Sequence, residues 1–140
     1  MIDLTGLPLT SVRLDDASLI LLLGLGEGWL LSVENDYELS RPAGRLRSAD
    51  GPGAEARAVA ALTGLLGSPL DSWQVEPDGG LTLAVTGHVL YVPPDASFEA
   101  WQVSGPGGAL VVSMPGGDLA VWSGDARGGS AEAGNGDVSP

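Results

Sequence analysis

The chain has 140 residues, enough for one domain with a real core, and carries 18 Asp and Glu against six Arg and no Lys, a formal net charge of −12. So acidic a surface repels phosphate backbones and anionic lipid headgroups, so neither nucleic acid nor a membrane is an expected partner, whereas a basic protein is. The absence of Cys removes disulfides, thiolate metal sites and a cysteine nucleophile from consideration.

The opening, MIDLTGLPLTSVRLDD, has no basic stretch ahead of an apolar one, so it does not read as a secretory leader. A cytoplasmic location is expected. Leu4 to Leu14 reads as a lead-in and a first strand, broken by Gly6 and Pro8. Ser18 to Leu25 is a continuous apolar run too short to cross a bilayer; it suits a strand buried on both faces. Gly24, Gly26 and Gly28 then suggest a hairpin connection. In the next stretch, Trp29, Leu31, Val33, Tyr37 and Leu39 share one parity, and Leu30, Ser32, Glu34, Asp36 and Glu38 the other. A regular strand here would have a wet, acidic face, unless Asn35-Asp36 bulges or breaks it.

Arg41 to Gly53 reads as loop. Asp50 is placed to cap a following helix, with Pro52 in its first turn and Glu55 near the positive end of its dipole. From Ala54 to Leu66, the residues Ala58, Val59, Leu62, Leu65 and Leu66 recur at helical spacing, and Gly67 and Pro69 supply the stop. Strands follow over Ser72–Glu76, Leu81–Thr86 and Val89–Pro93, with turns at Pro77-Asp78-Gly79-Gly80 and Gly87-His88. Three more are expected at 98–103, 109–114 and 118–122, joined by glycine-proline turns. Eight or nine short strands with short connections predict an α+β chain, mostly antiparallel β. A curled sheet or partial barrel would carry one amphipathic helix near 54–66. The expected domain spans 1–122, followed by a disordered Gly/Ala/Ser-rich tail over 123–140.

Little of this pattern carries chemistry. His88, the lone imidazole, falls in a predicted turn with no nucleophile or carboxylate motif beside it. The glycines at 24, 26 and 28 precede Trp29 and a strand, where a dinucleotide-binding turn needs a final glycine and a helix. Trp29, Trp73, Trp101 and Trp122 fit strand positions and suit a core better than a sugar platform. No catalytic residue, metal site or cofactor is predicted. The candidate partner-binding residues are Glu34, Asp36 and Glu38, with Asp15 and Asp16 as further acidic candidates; the competing reading is a solvated face.

Phe98-Glu99-Ala100-Trp101, Gly105, Met114-Pro115-Gly116-Gly117 and Leu119-Ala120-Val121-Trp122, together with Gly28 to Glu34, carry a resemblance. The chain resembles an uncharacterised family of small actinobacterial proteins, a domain-of-unknown-function family (6188 type), with a Tyr/Phe-Glu-Ala-Trp strand and a Pro-Gly-Gly turn. The resemblance covers most of residues 1–122 and implies no catalytic residues. Some such domains look like immunity proteins of toxin systems. The expected function is therefore a non-enzymatic protein-binding module, of immunity type, neutralising a basic toxin through the acidic face. The alternative is a small-ligand or ion-binding β domain.

Overall fold

The computed structural model describes residues 2–122. The expected tail, 123–140, lies outside them. Within them, alternating apolar residues form antiparallel strands divided between two open sheets, neither closed into a barrel. The first sheet joins β1 (Leu9–Leu14), β2 (Leu21–Leu25), β3 (Trp29–Val33), β9 (Trp101–Ser104), β10 (Leu110–Ser113) and β11 (Leu119–Trp122), in that order. The second runs β5 (Gly44–Arg47), β4 (Glu38–Arg41), β8 (His88–Val92), β7 (Leu81–Val85) and β6 (Ser72–Val75).

Directly paired residues of an antiparallel sheet share a face, so register decides what is buried. In the first sheet, Leu23, Leu31, Val103 and Val111 form one row, and Leu21, Val33, Trp101 and Ser113 the next. In the second, Leu46, Leu39, Leu90, Leu83 and Trp73 cross all five strands. These rows belong to one hydrophobic cluster, in which Trp73 meets Trp101 edge to face with ring centroids 6.3 Å apart. The four tryptophans divide accordingly: Trp73 and Trp101 are buried, while Trp29 and Trp122 are half-buried.

The tryptophan at the centre also ties the sheets by polar contact. Trp101 Nε1–H donates to the carbonyl of Gly79 at 3.0 Å, and Ser113 Oγ donates to the same oxygen at 2.9 Å. Both donors sit on the first sheet, and the acceptor sits in the β6–β7 turn of the second. That turn lies backbone to backbone against the β10–β11 turn. Gly79 and Gly117 have φ of 93° and 92°, and a Cβ on Gly79 would stand 2.6 Å from the Gly117 Cα. The Pro-Gly-Gly motif is thus a close-approach device, since only a residue without Cβ permits the contact.

The described residues form eleven strands, more than the eight or nine expected, and several boundaries differ from the sequence reading. The single helix, α1, spans Pro52–Thr63 instead of 54–66, because its last turn tightens: Leu65 N–H bonds Leu62 O and Leu66 N–H bonds Thr63 O. Asp50 is not its cap. Ser48–Asp50 forms a 3₁₀ turn, and Gly51, with φ 116°, takes the cap position without a side-chain bond. The predicted loop from Arg41 contains β5, in which Leu46 turns inward between outward Arg45 and Arg47, both facing Glu38. The strand expected from 98 begins at Trp101, because Asp95 Oδ2 accepts from the Ser97 and Phe98 amides and turns the chain, leaving Phe98 71% exposed. Among the described residues no helix is long and apolar enough to cross a membrane.

Candidate functional site

The strand read as running from Trp29 through Leu39 is two strands, and the break between them makes the site. After Val33 the backbone leaves β2, and the amides of Glu34 and Asn35 both donate to Ala100 O at 2.9 Å. Asn35 Nδ2 donates to Pro93 O at 3.0 Å and anchors the bend from its other side. The chain then enters the second sheet at Glu38. Glu34, Asp36 and Glu38 therefore do not line one regular strand.

Ser48 latches the far end of the bend. Its hydroxyl accepts from the Tyr37 amide at 2.8 Å and donates to Asp36 Oδ1 at 3.0 Å, while the Ser48 amide donates to Tyr37 O at 3.0 Å. Ser48 leads directly into the turn that starts α1, so the same segment brings Glu55, in the first turn of the helix, beside the bend. The opposite wall comes from the β1–β2 loop. There Asp15 Oδ2 accepts from both the amide and the hydroxyl of Ser18, which holds the Asp15 carboxyl below its usual range. Asp15 O accepts from the Leu19 amide at 2.7 Å, and Leu19 stands 52% exposed at φ 60°.

These three segments enclose a cleft of about 260 Å³. Its walls are Ser18 to Ile20, Val33 to Tyr37, Ser48 and Glu55. It contains three carboxylates, Glu34, Asp36 and Glu55, and no basic side chain. Glu34 Oε2 accepts from Gln102 Nε2 at 3.0 Å and from Ser32 Oγ at 3.1 Å, so its carboxylate is held in place. Tyr37 is buried, 6% exposed, yet its hydroxyl has no hydrogen-bond partner. Burial pushes the Tyr37 phenol up to about 12, and the negative charges of Glu55 and Asp36 push in the same direction.

The structure separates the five residues singled out by sequence. Glu34 and Asp36 line the cleft, and Asp15 does not, although its carboxylate braces Ser18, which does. Asp16 is exposed on that loop. Glu38 faces a second depression of about 200 Å³, which shares Asp36 and Tyr37 with the cleft and adds Arg47, Ala49 and Tyr91, and it is neutralised there by Arg47 at 2.9 Å and Arg45 at 3.6 Å. Sequence reasoning misses Tyr37, Ser48, Leu19 and Glu55. Tyr37 fits the inward parity of an apolar residue and Glu55 the charge preference of a helix start, so neither pattern signals a cleft. Among the described residues, no three acidic or imidazole groups are placed to hold a metal ion. His88 opens β8, half-exposed, with Nδ1 2.9 Å from Thr86 O in the hairpin turn.

The family model described as "Family of unknown function (DUF6188)" matches residues 1–123. No curated protein and no solved structure matches the chain.

Proposed function

The chain belongs to the DUF6188 family, whose function is unknown, and from its own side chains we propose a non-enzymatic module that binds a basic protein partner. The observation that carries this reading is the cleft: three carboxylates converge on it without a neutralising cation, in a chain of net charge −12. Like charges gathered in one concavity raise the local potential, speed the encounter with a cationic surface and exclude anionic ones. Glu34 and Asp36 make the central contact, Asp15 and Asp16 extend the field along the adjoining loop, and Glu38 contributes at the margin by offsetting Arg45 and Arg47, which would otherwise repel a basic partner. The most concrete role of this kind is an immunity-type protein that blocks a basic toxin in the cytoplasm of an actinobacterial cell.

The small-ligand reading draws on the same concavity, but at about 260 Å³ the cleft lies below the roughly 300–1,000 Å³ of ordinary ligand pockets. It suits one side chain of a larger partner better than a metabolite. The test is capture of a basic protein at low and moderate salt by the tagged chain, compared with a Glu34→Gln, Asp36→Asn, Glu38→Gln variant. Retention that is salt-sensitive and lost in the variant supports the proposal. Retention indifferent to both overturns it.

A further inference from the structure

Among the described residues four strands end a sheet, and three of those edges are guarded. An open edge presents unpaired N–H and C=O groups, so folded proteins cover it, kink it or charge it. The segment 67–70 covers the start of β1: the Leu9 amide donates to Ser68 O and the Leu70 amide to Leu7 O, and a register shift follows between Leu9 and Ser11. β5 carries Arg45 and Arg47, and β6 turns Ser72 and Gln74 to solvent between Asp71 and Glu76. β11, Leu119-Ala120-Val121-Trp122, has none of these devices. Its Val121 continues the row of Leu23, Leu31, Val103 and Val111, which are all buried, yet is itself 49% exposed.

What this edge fits follows from its hydrogen bonds. Antiparallel neighbours alternate between bonded and non-bonded pairs, and the Met114 amide donates to Asp118 O at 2.7 Å. The alternation therefore turns the backbone of Ala120 and Trp122 toward β10 and leaves the N–H and C=O of Leu119 and Val121 facing outward. A second copy laid antiparallel, with Ala120 on the two-fold axis, sets Leu119 opposite the partner's Val121 and satisfies all four outward groups of each strand. No other register does so within Leu119–Trp122. Such a seam also avoids like charge, which two chains of net charge −12 require: the facing strands are uncharged, and Asp118 falls opposite the partner's Trp122. We infer that β11 joins two copies of this chain, merging their six-stranded sheets into one continuous sheet. The cleft walls on this sheet come from the β1–β2 loop and the end of β3, far from β11 in strand order, so the inference does not depend on what the cleft binds. So short an edge buries less than the roughly 1,200 Å² of a standard interface, and the dimer is a reversible one.

Sedimentation equilibrium of the full chain is expected to show a dimer half-formed at about 0.1 mM and tightened by added salt, which screens the repulsion between acidic copies. The chain has no Cys, so Ala120→Cys reports the axis alone: non-bonded antiparallel neighbours have Cα atoms about 4.5 Å apart, within disulfide reach. It is expected to oxidise to a linked dimer about tenfold faster than Gln74→Cys on the β6 edge. Val121→Pro removes an outward N–H that β10 does not use and is expected to weaken association about tenfold, whereas Val121→Thr, similar in shape, changes it less than about threefold. If Val121→Pro does not fold, the disulfide rates decide. A chain still monomeric at about 1 mM, linkage no faster at 120 than at 74, or equal weakening by both Val121 variants each overturns the inference. Slow hydrogen exchange at the Leu119 and Val121 amides of a monomer also overturns it, because residues 123–140 then occupy the edge, as does pairing of β11 with another protein's strand while the chain alone stays monomeric.

Discussion

Replacing Tyr37 with Phe removes one oxygen and tests the electrostatics of the cleft directly. The hydroxyl is shielded from solvent and unpaired, and leaving such a group buried costs about 1–3 kcal/mol. Phe fills the same space without that cost, so Tyr37→Phe is expected to be more stable by about 1 kcal/mol near neutral pH, a rise in Tm of about 3–5 °C for a domain of this size. The same hydroxyl gives stability an alkaline limit. Its pKa rises from 10.0 to about 12 on folding, so between those values the native state keeps a proton that the unfolded chain releases. Stability is therefore complete below pH 10 and declines as pH climbs toward 12. A shift of this size corresponds to a loss on the order of 2–3 kcal/mol across that window. The chain has two tyrosines, so a Tyr91→Phe background leaves Tyr37 as the sole phenol for ultraviolet titration. Urea unfolding from pH 8 to 11.5 then measures the slope with and without the hydroxyl. A phenol titrating near 10, or a Tyr37→Phe variant less stable by more than about 1 kcal/mol, would refute the reasoning, because either result means that the hydroxyl is solvated or bonded in the folded protein.

Gly117→Ala forces a Cβ into the Asp78–Gly79 backbone at a φ of 92° and is expected to cost about 3 kcal/mol or more, read from urea midpoints. Ser113→Ala and Trp101→Phe each leave the Gly79 carbonyl one donor, whereas the double variant leaves it none. The cycle should therefore show the double variant worse than additive by about 1 kcal/mol, and strict additivity would deny the shared acceptor. Ser48→Ala strips the Tyr37 amide of its acceptor and is expected to cost about 1–3 kcal/mol, with faster hydrogen exchange at that amide.

The strands were legible where period-two alternation is strong, as in Leu81 to Val85 with burial at every second residue. Polar composition concealed β5, because Arg45 and Arg47 flank a single inward Leu46 and the run resembles a loop. Division into two sheets is a matter of long-range pairing, such as β3 with β9, for which local periodicity has no signal. The candidate site was half legible. Its carboxylates at 34 and 36 stand out, but nothing local says that Ala100 O bends the chain there or that Ser48 brings Glu55 to the same place. Tyr37 is the instructive case: parity correctly turns it inward, and only the surroundings reveal that its hydroxyl is stranded.

The first sheet is made from both ends of the described chain, with the whole second sheet inserted between β3 and β9. During synthesis, β3 is completed long before Trp101, its cross-strand partner at Val33, leaves the ribosome. For that interval Leu31 and Val33 sit on an unsealed margin of a three-stranded ribbon, the kind of edge to which other nascent chains adhere. The second sheet has all its strands by residue 92, so it has the opportunity to form first and serve as the surface on which the ribbon waits. Late arrival of the Trp101 strand then both seals the margin and joins the layers through Gly79. The timing of one strand becomes a point of vulnerability for production of the protein, and slow translation before residue 101 should raise the yield lost to aggregation.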